Sequence, residues 1–286
     1  MDKIFLAACR GEPTPYTPIW LNRQAGRYMP EYHQVKGDLP SLDFFKNPEK
    51  AALATLDAQR ILGVDAAIMF ADLLPIMEPM GLRLEYVPGQ GPVFDNPIRC
   101  AKDVDQLISA PAQEATPYIA DTVKNILHDL PKDIALIGFA GAPFTLASYA
   151  IEGRGSRNYV YVKKMMYEEP ELWHRLMNTL VDQLASYLIL QIDSGVDAVQ
   201  LFDSWAGSLE GDDFDRYSLT PMRQIITSLK STHPSVPIIA FPRGGGDRYA
   251  EAHAATGADC IALDQSVDAD WAAAHVQING CVQGNL

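Results

Sequence analysis

The sequence has few cysteines, no long apolar run and no stretch rich in lysine and arginine. Cys9, Cys100, Cys260 and Cys281 stand far apart without a C-x-x-C pair, which argues against a disulfide framework and a zinc ribbon. No apolar run approaches the roughly 20 residues that cross a bilayer, and the N-terminus lacks the apolar stretch of a secretory signal. We therefore expect a cytoplasmic protein without membrane contact.

The net charge of the 286-residue chain is −13. This charge would repel nucleic acid over most of the surface, so we do not expect a nucleic-acid partner. Any anionic ligand must be captured by a local group of basic residues. The hydrophobic content of 48%, with no low-complexity segment or flexible linker, predicts one domain over residues 1–286.

Short apolar runs recur along the chain between polar or glycine-rich turns, and they predict seven buried parallel strands. Between the runs lie segments with helical periodicity, such as 50–62 after Asn47-Pro48-Glu49 and 172–194 after Glu169-Pro170-Glu171. This alternation predicts a parallel sheet, either doubly wound or closed into a barrel. The predicted strands are 17–21, 66–70, 134–139, 198–202, 237–241, 260–263 and 281–283.

Polar residues and glycines follow every predicted strand, which favours the barrel. In a (β/α)8 barrel all these strand ends converge on one face, whereas a doubly wound sheet gathers only those near its switch point. We therefore predict an α/β fold of the (β/α)8 TIM type, truncated before its eighth strand because the sequence stops where the seventh ends. The strand-end residues are Arg23, Arg27, Asp72, Gly141, Pro143, Asp203, Ser204, Arg243, Asp264 and Asn285.

The segment Arg23-Gln24-Ala25-Gly26-Arg27 places two arginines four positions apart around a glycine. Such a loop suits carboxylate binding, because a guanidinium can donate two parallel hydrogen bonds. Two solvated arginines in surface salt bridges are the alternative. Asp72, directly after a strand, is open to two interpretations as well: a helix cap or an acid in a binding site.

Several longer segments resemble the uroporphyrinogen decarboxylase family, and the resemblance covers the whole chain. It implies a barrel that removes CO2 from the four acetate side chains of uroporphyrinogen, giving coproporphyrinogen in haem biosynthesis, without a cofactor or metal and often as a homodimer. The matching segments are 23–30, Phe70-Ala71-Asp72-Leu73-Leu74, 87–92, 138–146, 149–153, Leu201-Phe202-Asp203-Ser204-Trp205-Ala206-Gly207, Leu263-Asp264 and Gln283-Gly284-Asn285-Leu286.

Carried over by position, the resemblance implies a role for eight residues of this sequence. The substrate loop is Arg23, Gln24, Ala25, Gly26 and Arg27; the catalytic carboxylate is Asp72; Tyr149 and Ser204 are polar pocket residues. Apart from the resemblance, we assign the proton donor to Arg23.

Two departures from the family pattern concern basic residues. His33 and Lys36 stand where family members commonly carry Arg-x-x-Arg, so Lys36 is a further candidate contact with less directional hydrogen bonds. The family's pocket histidine after the eighth strand has no counterpart here.

Two other functions remain open at this point. The first is a zinc-dependent methyltransferase of the related branch, against which stands the absence of a His-x-Cys pair in Phe241-Pro242-Arg243-Gly244. The second is a non-catalytic fragment that binds a tetrapyrrole without releasing CO2.

Overall fold

A computed structural model describes residues 3–284, and its centre is a curled parallel sheet of six strands. The sheet has the order β1-β4-β5-β6-β7-β8, and a separate antiparallel hairpin pairs β2 with β3. The strands are β1 (Ala66–Ile68), β2 (Leu84–Val87), β3 (Gly91–Phe94), β4 (Ala135–Gly141), β5 (Ala198–Asp203), β6 (Ile238–Pro242), β7 (Cys260–Ala262) and β8 (Cys281–Gln283).

The predicted fold class is confirmed, and six of the seven predicted strands are present. The strand predicted at 17–21 is wrong, because this segment forms no ladder with a neighbour. Pro18 lacks an N–H group and interrupts any regular pairing. The segment instead runs beside the start of β1, where the Asp65 amide donates to the Ile19 carbonyl (2.8 Å) and the Ile19 amide donates to the Asp65 carboxylate (2.7 Å). Asn285 lies outside the described residues.

Helices surround the sheet, and the two predicted start signals are confirmed. The Asn47 side chain accepts a hydrogen bond from the Lys50 amide (3.0 Å), and Pro48 opens α4. The helices are α1 (Ile4–Cys9), α2 (Pro30–Lys36), α3 (Ser41–Phe45), α4 (Pro48–Leu62), α5 (Ala101–Asp105), α6 (Ala112–Ala115), α7 (Pro117–Asp129), α8 (Pro143–Glu152), α9 (Val160–Glu168), α10 (Pro170–Ser194), α11 (Thr220–Thr232), α12 (Tyr249–Thr256) and α13 (Ala269–His275). Within residues 3–284 no helix is both long and apolar enough to cross a membrane.

The amino-terminal end of the barrel interior is filled with small apolar side chains. Helix α1 closes this end by inserting Phe5 and Cys9, which are 4% and 3% exposed. Because alanine and cysteine occupy little volume, the strands can curl tightly around the inserted helix. The buried residues of this cluster are Phe5, Cys9, Ala66, Ala135, Ile137, Ala198, Ile239, Cys260 and Ala262.

A layer of polar side chains crosses the middle of the interior. The Trp20 indole donates to the Gln283 carboxamide oxygen (3.1 Å), and the Gln283 amide donates to Gln200 (2.9 Å). Above this layer the rings of Phe139, Phe202 and Phe241 meet edge to face, with centroids 5.7 and 6.0 Å apart. These rings form an aromatic floor at the carboxyl-terminal end of the strands.

Strands β1 and β4 separate toward their carboxyl-terminal ends. Their pairing stops at Ile68 and Ile137, and the Gln191 side chain from α10 then takes over. Its oxygen accepts from the Phe139 amide (2.8 Å), and its amide donates to the Phe139 carbonyl (2.9 Å). Gly138 is required here because a Cβ would lie 2.4 Å from the Gln191 oxygen. The Gln191 side chain therefore satisfies both backbone groups of Phe139 where β1 turns away toward Asp72.

The hairpin β2–β3 was not predicted from the sequence. Its turn contains Gly89 and Gly91 in the left-handed backbone region, with φ of 78° and 80°. The Phe94 amide donates to the Gly153 carbonyl at the end of α8 (2.7 Å), which fixes the hairpin against the sheet. The hairpin thereby carries Tyr86 back toward Asp72.

Candidate active site

Asp72 lies just beyond the carboxyl-terminal end of β1 and is half-buried. Its carboxylate accepts a hydrogen bond from the Leu74 amide (3.2 Å) at the start of the short helical turn Pro75–Met77. Asp72 therefore has the capping contact proposed for it. A cap uses only part of a carboxylate's hydrogen-bonding capacity, so the group can also serve a ligand.

Burial raises the pKa of Asp72 above its ordinary value of 3.8, because removal from water disfavours the charged form. The Tyr86 hydroxyl, the amides of Leu74 and Leu73 and the positive charge of Arg23 lower the pKa in part. Asp72 in turn raises the pKa of Tyr149, which Arg23 lowers. These mutual effects show that Asp72, Arg23, Tyr86 and Tyr149 lie near one another.

Tyr86 is the member of this group that the sequence reasoning missed. Its pKa is raised by burial first and then by Asp72, yet its hydroxyl makes no hydrogen bond of normal geometry within residues 3–284. The Asp72 carboxylate interacts with this hydroxyl, so Tyr86 adds a phenol to the polar groups beside Asp72. The turn sequence Val87-Pro88-Gly89-Gln90-Gly91 was the available signal that this segment folds back.

Arg23 and Arg27 are both exposed, and neither forms an ion pair with an acidic side chain in the described part of the chain. The surface salt bridges considered as the alternative for these arginines are therefore absent there. Arg23 has a left-handed backbone with φ of 59°, an uncommon conformation for a residue with a side chain. Two uncompensated guanidinium groups in a strongly acidic protein suit an anionic ligand.

The residues between the two arginines shape the loop. Gln24 is only 1% exposed, and its amide donates to the Ala66 carbonyl (3.4 Å). Ala25 packs against the cluster that contains Met29. The Met29 amide donates to the Gly26 carbonyl (3.0 Å). The predicted substrate contacts of Gln24, Ala25 and Gly26 stay predictions, and the contacts present give these residues a positioning role.

Lys36 is engaged elsewhere. Its ammonium donates to the Leu39 carbonyl just after α2, and His33 contacts the Arg27 carbonyl through its ring (2.9 Å). The predicted substrate contact of Lys36 stays a prediction. His33 instead steadies the backbone of the arginine loop.

Ser204 lies in a second part of the same face, at the end of β5. A depression of about 280 Å³ is lined by Tyr159, Ser204, Trp205, Arg243, Asp264 and Ser266 among others. The Trp205 ring lies 5.7 Å from Tyr149 and 6.0 Å from Tyr159, measured between centroids. Tyr149 and Trp205 thus connect the depression to the space around Asp72.

Two buried carboxylates fix the loops of this face. Asp203 accepts from the hydroxyls of Thr145 and Ser218, both at 2.6 Å, and burial raises the pKa of Asp203 to about 6. Asp264 accepts from the Gly244 amide (2.7 Å) and the Tyr249 hydroxyl (2.8 Å). Both acids are engaged by donors from the loops that surround them.

The loops after β5 and β6 cross in direct backbone contact. The Gly207 amide donates to the Arg243 carbonyl (2.8 Å), and a Cβ on Gly244 would lie 2.8 Å from the Gly207 Cα. Both glycines are needed for this approach. Their crossing fixes the backbone position of Arg243 beside Ser204.

The sheet and the polar face above it define an α/β-barrel type of protein whose site is built at the carboxyl-terminal ends of the strands. A family model described as uroporphyrinogen decarboxylase (URO-D) matches residues 1–286. The chain belongs to the uroporphyrinogen decarboxylase family.

Curated relatives named uroporphyrinogen decarboxylase extend this result. The protein of Carboxydothermus hydrogenoformans is 45% identical over 286 residues, covering 100% of this chain and 81% of the relative. That of Paracoccus denitrificans is 44% identical over 288 residues, covering 100% and 84%. That of Roseobacter denitrificans is 46% identical over 288 residues, covering 99% and 83%.

A solved structure is similar in fold. A methyltransferase from Methanosarcina mazei aligns with a TM-score of 0.82, covering 100% of this chain and 83% of that protein, at 18% sequence identity. At this identity the likeness concerns the fold alone.

Proposed function

We propose that this chain is a decarboxylase that removes CO2 from the four acetate side chains of uroporphyrinogen and releases coproporphyrinogen in tetrapyrrole biosynthesis. Its family and the name shared by relatives at 44–46% identity support this activity. The structural observation that supports the proposal is the proximity of Asp72, Arg23 and Tyr149, since the charge of Arg23 influences the pKa of both other groups.

The reaction requires an acceptor for the electrons that CO2 leaves behind. Protonation of the ring carbon next to the one that bears the acetate arm creates a cationic pyrrole, and this cation accepts the electrons when the C–C bond breaks, leaving an exocyclic methylene. A second proton adds to the methylene carbon to form the methyl group, and the ring carbon releases the first proton, which restores the pyrrole. The protein must stabilise the transient cation and supply the proton.

Asp72 is the proposed stabilising group. An ion pair at about 4 Å is worth roughly 4 kcal/mol at an effective dielectric near 20, or about three powers of ten in rate when it acts only in the transition state. Burial increases the effect of this charge, and burial is also what raises the pKa of Asp72. The aromatic floor of Phe139, Phe202 and Phe241 would keep water from the reacting ring.

Arg23 and Arg27 are the proposed partners of the substrate carboxylates. Both lack an acidic partner within residues 3–284, so a carboxylate that binds them displaces water rather than another side chain. Arg23 is also the proposed proton donor, although a guanidinium is a weak acid at neutral pH. Gln24, Ala25 and Gly26 would present the loop in the correct shape.

Tyr149 and Ser204 would add neutral hydrogen bonds to the substrate. Each such bond to a charged partner is worth about 1.5–3 kcal/mol. Burial raises the pKa of Tyr149, so this phenol stays protonated and can donate at neutral pH. Independence of any cofactor, a cytoplasmic location, a single domain and a homodimeric state complete the proposal.

Anaerobic incubation of the chain with uroporphyrinogen tests the activity directly. We expect release of CO2 and successive appearance of products with fewer carboxylates, measured by chromatography after oxidation to the porphyrins. Binding without CO2 release would replace the proposal with a tetrapyrrole-binding role. Methylation of a thiol acceptor dependent on added zinc would replace it with the methyltransferase alternative.

A further inference from the structure

Three of the four cysteines converge at the amino-terminal end of the barrel, opposite the candidate active site. Cys9 ends α1, Cys260 begins β7 and Cys281 begins β8. The sulfur atoms of Cys260 and Cys281 are 3.0 Å apart, and Cys9 packs in the same cluster. We call Cys9, Cys260 and Cys281 the thiol cluster. Neither the proposed decarboxylation nor the family relationship gives it a role here.

The backbone around the cluster already suits a disulfide between two of its members. Cys260 and Cys281 are direct partners in the parallel β7–β8 ladder. Neighbouring strands lie about 4.8 Å apart, which falls within the range of Cα separations that disulfides span. The sulfurs need to approach by only about 1 Å to reach the length of an S–S bond, so side-chain rotation suffices.

The three thiols differ in access and in acidity. Cys281 is partly exposed, whereas Cys260 and Cys9 are 0% and 3% exposed. Hydrogen bonds from Cys260 and then Cys9 lower the pKa of Cys281, as does the charge of nearby His253, while burial and Asp259 oppose the shift. The pKa of Cys260 is raised, chiefly by burial. Cys281 is thus the accessible nucleophile and Cys260 the protonated neighbour.

We propose that Cys281 is a site of reversible oxidation by hydrogen peroxide that yields a disulfide with Cys260. The Cys281 thiolate attacks one peroxide oxygen, the O–O bond breaks, and a sulfenic acid and hydroxide form. The Cys260 sulfur then attacks the Cys281 sulfur, and the hydroxyl group leaves with the Cys260 proton as water. Two electrons pass from the two sulfurs to the peroxide, whose oxygens end as water once the hydroxide is protonated.

The site is separate from the decarboxylation chemistry. The polar layer of Trp20, Gln200 and Gln283 and the aromatic floor lie between the thiol cluster and Asp72. The disulfide would join β8 covalently to β7 without touching a residue assigned to the substrate. The inference therefore stands independently of the proposed function.

Peptide mapping of the oxidised protein tests the pairing. The folded chain is treated with a small excess of hydrogen peroxide, free thiols are blocked, and the digest is examined by mass spectrometry. We expect a Cys260–Cys281 peptide pair that has lost two hydrogens and that separates again after dithiothreitol. In Cys281→Ser we expect loss of the pair and about tenfold slower peroxide consumption.

Cys100 provides a matched control, because it is exposed and lies outside the cluster, directly before α5. Cys100→Ser should leave the Cys260–Cys281 pair and its rate of formation unchanged. A Cys9–Cys281 pair, oxidation of Cys281 only to its sulfinic acid, or preferential oxidation of Cys100 in the wild type would each overturn the proposal. Mapping of the wild type decides the matter even if Cys281→Ser fails to fold.

Discussion

The two ends of the barrel differ in the side chains that fill them. At the amino-terminal end α1 inserts Phe5 among small apolar residues, and the interior there is closely packed. At the carboxyl-terminal end Arg23 and Arg27 lack acidic partners in the described residues, and the Tyr86 hydroxyl makes no normal hydrogen bond there. The two guanidinium groups at the carboxyl-terminal end are therefore available to an anionic ligand.

The largest expected effect is that of Asp72→Asn on turnover. The substitution keeps the size and the capping oxygen but removes the charge, so kcat should fall by about three powers of ten. Steady-state assays with uroporphyrinogen measure the loss. Near-normal turnover would rule out the role given to Asp72.

Asp72→Asn should lose turnover without losing stability. The folded-state pKa of Asp72 lies above its ordinary value, so the ionised group costs stability above that folded pKa. Below the ordinary value the cost disappears. At pH 7 the free energy of unfolding of Asp72→Asn should therefore equal or exceed that of the wild type, as measured by urea titration.

The next largest effect is on stability, from Gln191→Met. The change preserves volume but removes both hydrogen bonds to the Phe139 backbone, leaving an N–H and a C=O group buried without partners. We expect the free energy of unfolding to fall by about 3 kcal/mol. Gln183→Met on the same helix is the matched control, because the Gln183 amide donates to the Ala110 carbonyl (3.0 Å) and not to a strand. Equal losses in both variants would contradict the argument.

Arg23→Ala should reduce kcat/KM by about 10- to 100-fold through loss of charge-assisted hydrogen bonds. Because the Arg23 charge lowers the pKa of Asp72, its removal should also move the acid limb of the pH–rate profile to higher pH. Arg60→Ala, which removes an exposed arginine paired with Asp57 on α4, should change neither quantity. An unshifted acid limb would separate Arg23 from Asp72.

Tyr149→Phe should lower kcat/KM about tenfold, because it deletes one hydroxyl from the site and keeps the ring against Trp205. Tyr16→Phe is the control, because it deletes an exposed hydroxyl that donates to Asp65, directly before the amino-terminal end of β1. The two variants are compared in the same assay. Equal activities would show that the Tyr149 hydroxyl does not contact the substrate.

The smallest effect concerns the packed end. Ile239→Val removes one methylene from the buried cluster around α1, and we expect a stability loss of about 1 kcal/mol with unchanged kcat. Urea titration and the turnover assay together measure this. A tenfold drop in kcat would show that packing at the amino-terminal end affects the candidate active site.

The sequence predicted the strands of the sheet because buried parallel strands carry continuous apolar runs between turns. The prediction of a strand at 17–21 was wrong. This apolar run contains Pro18, and its Ile19 amide donates to the Asp65 side chain rather than to a neighbouring strand. The hairpin β2–β3 was missed because its strands are short and half-exposed, as Glu85 and Tyr86 show. Local pattern alone does not report such tertiary pairing.

For the site, strand-end positions pointed to Asp72, Arg23 and Ser204, because all strand ends of a barrel meet on one face. The position of Tyr86 depends on a hairpin that returns 14 residues after Asp72, which no periodicity encodes. The inward orientation of Gln24 was also unreadable from the sequence, since its buried contact is with the backbone of Ala66. The substrate contacts themselves stay predictions.

The carboxamide of Gln191 has a consequence for how wide the barrel can be at its rim. In a regular ladder, hydrogen-bond geometry holds adjacent strands about 4.8 Å apart along their whole length. Where a helix side chain bonds to the strand edge instead, the gap between β1 and β4 follows the placement of α10. The circumference of the opening is thereby set by helix packing, so substitutions on α10 could resize the entrance while every hydrogen bond lower in the sheet stays intact.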